Sequence, residues 1–255
     1  MPDPRVVQVH LLPSLAPAGV LINGVAIVID VLRASTTIIH ALAAGCSEVR
    51  YCGEVEEARA LAGEMRVGRV ILGGERGGLP IAGFDCGNSP GEYTAKVCRG
   101  NTLVLTTTNG TRALIRAAEA DRVLVAGFVN FSAVCEQLHS EGSPVHILCA
   151  GTDGEPTLED TLLAGAFVDR LCDMGEVRIN DSARLAWDCF ENHGRMLLGA
   201  LEISKGGANL KKLGYDEDIL AAAQVDQFAL VPQLLRNPFR IEIGAVGFGK
   251  SYWPS

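Results

Sequence analysis

Short runs of β-branched and aliphatic residues alternate with segments of helical periodicity through the first 151 residues, and no other feature constrains the fold as strongly. We interpret the runs as strands and the segments as helices, several of which stop at glycine. Right-handed crossovers then predict a mostly parallel sheet with helices on both faces, a three-layer α/β/α fold. The predicted strands lie at residues 6–12, 25–32, 48–52, 69–74, 102–108, 122–128 and 145–151, and the predicted helices at 36–45, 55–65, 111–120 and 131–140.

The second part of the chain is rich in helix. From about residue 157 the helical pattern covers 158–174, 182–204 and 216–227, and a late apolar run at 239–246 could return to the sheet. No internal repeat, low-complexity tract or Ser/Pro-rich linker divides the sequence. We therefore predict a single α/β domain over residues 1–255, in which the segment at about 157–225 could form a cap.

Composition limits the classes of function. With 255 residues, 48% of them hydrophobic, the chain can bury a substantial core. The formal net charge of −8 argues against a nucleic-acid binder, because such proteins neutralise phosphates with an excess of Lys and Arg. No secretory leader or bilayer-spanning apolar stretch is visible, so we expect a cytoplasmic protein without a membrane partner. The eight cysteines form no C-x-x-C pair, which favours packing over zinc or disulfide roles.

Polar residues follow the predicted strand at 25–32, where an open α/β sheet places its ligand crevice. Asp30 ends the apolar run, and Arg33, Ser35 and Thr36 follow at the start of a helix. Free N–H groups at a helix start attract phosphate or sulfonate, hydroxyls add donors, and arginine supplies a bidentate fork. The alternative is an ordinary helix cap at Ser35 or Thr36 with a surface arginine.

A second polar segment follows the predicted strand at 69–74. It places Glu75, Arg76, Asp85 and Asn88, followed by Ser89, among several glycines, which let backbone approach a ligand closely. Mg²⁺ takes oxygen from one or two carboxylates and leaves positions for water and phosphate, so Glu75 or Asp85 could serve it. The alternative is a turn-rich loop in which Asn88 or Ser89 caps the next helix.

A third segment repeats the arrangement of strand, hydroxyl cluster and helix start. Thr108, Asn109, Gly110 and Thr111 follow the predicted strand at 102–108 and open a helix. Two such anion sites indicate a substrate with more than one negative group. A capped helix after an edge strand would explain the same residues without a ligand.

Two acidic residues, Glu159 and Asp160, stand at the head of the helix predicted after the strand at 145–151. Acidic residues in a first helical turn often complement the helix dipole. Since the two side chains point in different directions, one could face the crevice as a metal ligand or general base while the other stays in solvent.

These motifs, in this order, resemble the 2-phosphosulfolactate phosphatase family over nearly the whole chain. The resemblance implies hydrolysis of 2-phosphosulfolactate to sulfolactate and phosphate, a reaction of coenzyme M biosynthesis, with Mg²⁺ as cofactor. It also implies that Arg33 and Arg76 clamp anionic groups. The matching segments are residues 29–37, 73–76, 83–90, 106–112, 159–160, 210–214, 218 and 231–232.

Together the motifs and the resemblance give the set of candidate site residues. The candidate catalytic residues are Asp30, Glu75 and Asp85. The candidate metal ligands are Asp30, Glu75, Asp85, Glu159 and Asp160. The candidate substrate-binding residues are Arg33, Ser35, Thr36, Arg76, Asn88, Ser89, Thr108, Asn109, Gly110 and Thr111.

The chemical step and the substrate leave alternatives open. Direct attack by metal-activated water fits the absence of a D-x-D-x-[TV] or C-x₅-R signature, and an aspartyl-phosphate through Asp30 is the rival. Another small phosphorylated hydroxy acid could be the substrate, since sulfonate and carboxylate both require Arg and N–H donors. A non-catalytic protein that binds organic phosphates is a further alternative, opposed by the carboxylates at the strand ends. A homodimer is the default expectation for a compact cytosolic enzyme.

Overall fold

A computed structural model describes residues 3–65, 68–139, 142–244 and 253 of the chain. Within these residues eleven strands form one sheet in the order β5-β4-β6-β3-β11-β10-β7-β2-β8-β1-β9. The strands are β1 (Arg5–His10), β2 (Val25–Ile29), β3 (Glu48–Tyr51), β4 (Val70–Arg76), β5 (Leu79–Pro80), β6 (Thr102–Thr106), β7 (Arg122–Ala126), β8 (Val145–Cys149), β9 (Val177–Ile179), β10 (Pro232–Arg236) and β11 (Phe239–Ile243).

The helices connect these strands and account for most of the second part of the chain. They are α1 (Ala34–Ala43), α2 (Val55–Glu64), α3 (Ala95–Cys98), α4 (Gly110–Ala117), α5 (Phe131–His139), α6 (Leu158–Met174), α7 (Asp181–His193), α8 (Leu197–Ile203), α9 (Lys205–Leu213) and α10 (Asp216–Ala222). Among the described residues no helix is both long and apolar enough to cross a membrane.

The sheet consists of two parallel halves joined by an antiparallel hairpin. In the β2 half, β7, β2, β8, β1 and β9 all pair in parallel. In the β6 half, β3, β6 and β4 pair in parallel, and β5 adds an antiparallel edge. The hairpin β10–β11 pairs antiparallel with β7 on one side and with β3 on the other. Three successive antiparallel pairings reverse the chain direction, so the two halves run opposite to each other.

Helices cover both faces of the sheet, and the alternation of side chains along each strand divides the core. On β2, Ile27 and Ile29 belong to an apolar cluster that includes residues of α5, α6 and α7, whereas Ala26 and Val28 belong to a second cluster. This second cluster combines residues of both sheet halves with residues of α1 and α4. A smaller third cluster packs α2 on the β6 half, around Val104. Because both faces are buried, the strands read as continuous apolar runs.

The predicted three-layer α/β/α fold with a mostly parallel sheet is confirmed. The late run at 239–246 does return to the sheet, as β11 over Phe239–Ile243, while residues 245–246 lie outside the described residues. The helix predicted at 182–204 is divided into α7 and α8 by a 3₁₀ turn at Gly194–Met196. In the segment at 157–225, α6 packs on β1, β2 and β8, and α7 packs on α6 and β1. The single domain and the capping role stay predictions.

Candidate active site

A cavity of about 360 Å³ lies where the carboxyl ends of the two sheet halves meet. The β2 half contributes Asp30, after β2, and Thr152 with Asp153, after β8. The β6 half contributes Glu75, at the end of β4, and residues 107–109, after β6. Helix α9 covers the cavity from the side of the helical segment. Polar groups predicted from separate strand ends therefore share one site.

Asp30 is the buried carboxyl group at the bottom of this cavity. Its Oδ1 accepts a hydrogen bond from the Ala34 N–H at 3.1 Å, at the start of α1. A Cβ atom at Gly110 would lie 2.9 Å from Asp30 Oδ2, so only glycine allows α4 to begin this close. Burial, together with the nearby carboxylates of Glu75 and Glu159, raises the pKa of Asp30 to about 7. Asp30 can therefore hold or accept a proton near neutral pH.

Glu75 lies beside Asp30 and joins two loops of the β6 half. Its Oε1 accepts the Thr108 N–H at 2.7 Å, and its Oε2 accepts the Gly78 N–H at 2.7 Å. Backbone N–H groups therefore hold both carboxyl oxygens in place. Glu75 lines the cavity and ties the tip of the β4–β5 turn to the loop after β6.

The other three predicted metal ligands do not line the cavity. Asp85 is exposed, and its Oδ2 accepts the Leu72 N–H at 2.9 Å. Glu159 and Asp160 are both buried behind Asp30, so the expectation that one of them stays in solvent is wrong. Burial raises the pKa of both carboxyl groups. Their position follows from packing of α6 on the sheet, which buries both carboxyl groups while Leu158 and Thr161 beside them stay half-buried.

Asp160 connects two strand-end loops through its two oxygens. Oδ1 accepts the Val31 N–H at 2.9 Å and Oδ2 accepts the Gly151 N–H at 3.0 Å. Glu159 packs under the start of α9, since a Cβ atom at Gly206 would lie 2.2 Å from its Oε1. Both residues therefore shape the support behind Asp30.

Arg33 lines the cavity, and its guanidinium is held by protein groups. Nη1 donates to Asp218 Oδ2 at 2.7 Å, and Nη2 donates to the Gly78 carbonyl at 2.8 Å. The guanidinium also lies over the Tyr215 ring, 4.7 Å from its centroid. Asp218 Oδ1 accepts a further hydrogen bond from the hydroxyl of Ser89. This buried cluster joins the start of α1, the loop before residue 90 and α10.

Several predicted anion ligands instead bind neighbouring backbone. The hydroxyls of Ser35, Thr36 and Thr111 bind Asp30 N, Val31 O and Thr107 O respectively. The Arg76 guanidinium donates to the carbonyls of Glu75 and Gly53 and to the Thr106 hydroxyl. None of these four side chains, nor Ser89, lines the cavity, whereas the predicted residues Asn88, Thr108 and Asn109 do. A short hydroxyl at a helix start readily satisfies local backbone groups, which explains the difference.

Two buried oxygen atoms in the cavity lack a hydrogen-bond partner among the described residues. They are Asn88 Oδ1 and Thr108 Oγ1. Buried polar atoms are usually satisfied, so an oxygen pair of this kind is suited to a bound ligand. The described part of the chain contains no group of three or more His, Cys, Asp or Glu residues placed to hold a metal ion. Mg²⁺ needs no such group, since one or two protein oxygens with water and phosphate suffice, and Asp30 with Asn88 fits that donor set.

Sequence patterns alone gave little indication of the α9 and α10 residues at the site. Asn209 and Lys212 line the cavity from α9, and Asp218 pairs with Arg33 from α10. Helix α9 contains Gly206 and Gly207, which weaken its helical pattern. Only the family resemblance, through residues 210–214 and 218, pointed to this region.

Comparison with known proteins assigns the chain to a family. The profile described as 2-phosphosulpholactate phosphatase matches residues 10–237. A "Probable 2-phosphosulfolactate phosphatase" of Symbiobacterium thermophilum is 41% identical over 220 residues, covering 86% of this chain and 94% of the relative. Relatives of the same name from Deinococcus radiodurans (42% over 213 residues, 83% and 88% covered) and Thermotoga petrophila (39% over 227 residues, 88% and 95% covered) agree. The chain therefore belongs to the 2-phosphosulfolactate phosphatase family of phosphoric monoester hydrolases.

Proposed function

We propose that this chain hydrolyses 2-phosphosulfolactate to sulfolactate and phosphate, with Mg²⁺ as its cofactor. This is a reaction of coenzyme M biosynthesis. One observation supports the proposal most strongly. A carboxyl group with a pKa of about 7, that of Asp30, shares the cavity with the unpartnered oxygens of Asn88 and Thr108. A volume of about 360 Å³ suits a substrate with few carbon atoms.

Asp30 and Asn88 would hold the cation, and Glu75 would contribute negative charge from the adjacent wall. Bound Mg²⁺ would supply charge neutralisation of the phosphate oxygens and a lower pKa for a water molecule. Asp30 would also accept a proton from the attacking water, because its carboxylate lines the same cavity as the Thr108 hydroxyl. The Thr108 hydroxyl would donate to a phosphate oxygen, which would satisfy its hydrogen-bonding capacity.

The rest of the site positions these groups. Asp30 is fixed by the Ala34 N–H at 3.1 Å, and Glu75 is fixed by the N–H groups of Gly78 and Thr108 at 2.7 Å. Such backbone donors move little during a reaction, so the charges are arranged before the substrate binds. Arg33 contributes positive charge from its cluster with Asp218, which offsets part of the negative charge of the wall.

The function is tested by phosphate release from a panel of small phosphorylated acids that includes 2-phosphosulfolactate. Each is assayed with Mg²⁺ and with excess EDTA. We expect metal-dependent release with a preference for 2-phosphosulfolactate. Phosphate release that is unaffected by EDTA would refute the requirement for Mg²⁺. Preference for a different acid would refute 2-phosphosulfolactate as the substrate. Tight binding without release from any phosphoester would instead favour a binding protein.

The cation site has its own test in Asn88→Ala. Loss of the Asn88 oxygen should raise the Mg²⁺ concentration for half-maximal rate by about tenfold, as expected for one lost ligand contact. Asn192→Ala is the control, because Asn192 is exposed on α7 and donates to the Asp188 carbonyl at 2.7 Å. An equal response of the two variants would remove Asn88 from the cation site.

Trapping of a phosphorylated protein distinguishes a covalent route through Asp30 from direct attack by water. Acid quenching during turnover of ³²P-labelled substrate should leave the protein unlabelled if water attacks phosphorus directly. Label retained by the wild-type protein and absent from Asp30→Asn would instead establish an aspartyl-phosphate.

A further inference from the structure

Two basic side chains, Arg33 and Lys212, line the cavity, and a third, Lys205, binds the loop that holds Thr152 and Asp153. Arg33 is paired with Asp218 at 2.7 Å. Lys205, at the start of α9, binds Glu155 Oε2 at 2.9 Å and lies 3.7 Å from Asp153 Oδ2. Lys212 lines the cavity, and no carboxylate within the described ranges forms an ion pair with it. Lys212 is therefore the cation with the greatest freedom to meet a ligand.

Helix α9 holds Lys212 at the open end of the cavity. The side chain of Lys212 is exposed, whereas that of Asp30 is buried. Asn209, one turn earlier on the same helix, also lines the cavity. The end of α9 rests on the β4–β5 turn, since a Cβ atom at Gly78 would lie 2.7 Å from Leu213 Cδ1. The helix thus presents an amide and an ammonium group along one side of the cavity.

We propose that Lys212, assisted by Asn209, determines specificity by binding the second anionic group of the substrate, its sulfonate or carboxylate. The inference rests on the proposed function, because it assumes that the phosphate lies at the Asp30 end. The distribution of charge supports this orientation. Asp30 and Glu75 repel an anionic group unless a cation intervenes, whereas Lys212 attracts one directly.

A different role for Lys212 is to complement the dipole at the end of α9, where basic residues are common. Lys211 shares that position, is exposed, and pairs with Glu202 Oε1 at 3.3 Å on the outer side of the helix. It does not line the cavity. Lys211→Gln therefore removes the same charge from the same turn and serves as the matched control for Lys212→Gln.

The experiment compares three phosphoesters that differ in their second group. Ethyl phosphate has none, 2-phosphoglycolate has a carboxylate, and phosphoisethionate has a sulfonate. In Lys212→Gln we expect KM to rise about tenfold for the two anionic esters, as for one lost charged contact, with kcat little changed. KM for ethyl phosphate should stay the same, Lys211→Gln should behave as wild type, and Lys212→Arg should restore most of the loss. A rise for only one anionic ester identifies which group Lys212 binds.

Two results would overturn the inference and are distinct from failure of the function. An equal change for all three esters in Lys212→Gln would show a general effect of α9 on the cavity. The same selective change in Lys211→Gln would show long-range charge rather than contact. Absence of turnover of all three esters by the wild type would refute the phosphatase proposal itself. In that case titration calorimetry with isethionate and with ethanol, on wild type and Lys212→Gln, decides whether Lys212 binds a sulfonate.

Discussion

The floor and the roof of the cavity are built in different ways. The floor, Asp30, Glu75, Asn88 and Thr108, is mostly buried and held by backbone hydrogen bonds from strand-end loops. The roof, helix α9, presents the half-buried Asn209 and the exposed Lys212. Groups that must keep a fixed geometry thus belong to the floor, while groups that contact the variable part of a ligand belong to the roof. This difference indicates that changes in the floor affect the rate, and changes in the roof affect substrate selection.

The largest effect on stability is expected outside the floor and the roof, at Asp218 of α10, which pairs with Arg33. Asp218→Ala leaves the Arg33 guanidinium buried without its carboxylate, which should lower the free energy of unfolding by about 3 to 5 kcal/mol. Urea unfolding measures the change. Asp216→Ala, in the first turn of α10 and exposed, should cost about 1 kcal/mol or less. Similar losses in the two variants would show that the buried pair contributes nothing special, and Asp218→Asn provides an intermediate case if the alanine variant does not fold.

The carboxyl group of Asp30, in the floor, is expected to lower the free energy of unfolding above neutral pH. The pKa of Asp30 is raised to about 7, so the folded protein binds this proton more tightly than the unfolded chain does. The associated stability is present below pH 4 and is lost as the pH rises through about 7. In EDTA at pH 8, Asp30→Asn should therefore be more stable than wild type by about 1 to 4 kcal/mol. The gain should fade toward pH 4. A variant that is less stable at every pH would contradict this reasoning.

Glu75 is expected to behave in the opposite way. Glu75→Gln leaves one of the two N–H donors, from Gly78 or Thr108, facing an amide group in place of an oxygen. The unmade hydrogen bond should lower the free energy of unfolding by about 1 to 3 kcal/mol, measured by urea unfolding. Asp30 and Glu75 would then differ in the sign of their effect although both are buried carboxyl groups of one floor. A stabilised Glu75→Gln variant would remove this distinction.

The smallest effect is expected at Asp85, which the sequence motif places in the site and the structure places outside the cavity. Asp85→Asn keeps an oxygen that can accept the Leu72 N–H, so the stability should change by about 0.5 kcal/mol or less. The kcat for 2-phosphosulfolactate should stay within about twofold of wild type. A large fall in kcat would support the motif-based prediction over the geometry.

Local pattern predicted that the floor residues lie near one another, because they follow apolar runs, and they do line one cavity. Asp30, Glu75 and Thr108 each stand at or just after a strand, and strand ends are where α/β sheets bind ligands. The pattern did not predict that the hairpin β10–β11 separates two halves of opposite direction. Pairing between distant segments decides that arrangement, and both halves still point their carboxyl ends at the cavity.

The roof could not be predicted in the same way. Lys212 lines the same cavity as Asp30 although the two are far apart in sequence, through packing of α9 that no local periodicity encodes. The sequence also did not predict which way the polar side chains point. Ser35 and Thr36 have the residue type of anion ligands, but both hydroxyls bind nearby backbone. Asp85 shows the same limit, since its motif is polar while its carboxylate supports Leu72.

The most direct test of the central claim is the kcat of Asp30→Asn for 2-phosphosulfolactate at saturating Mg²⁺. Asp188→Asn, an exposed substitution on α7, is the control and should match wild type. If Asp30 accepts the proton of the attacking water, kcat should fall about 10²- to 10⁴-fold while the far-ultraviolet circular dichroism spectrum stays unchanged. A folded Asp30→Asn protein whose kcat remains close to that of wild type would contradict the assignment of this cavity floor as the reaction site.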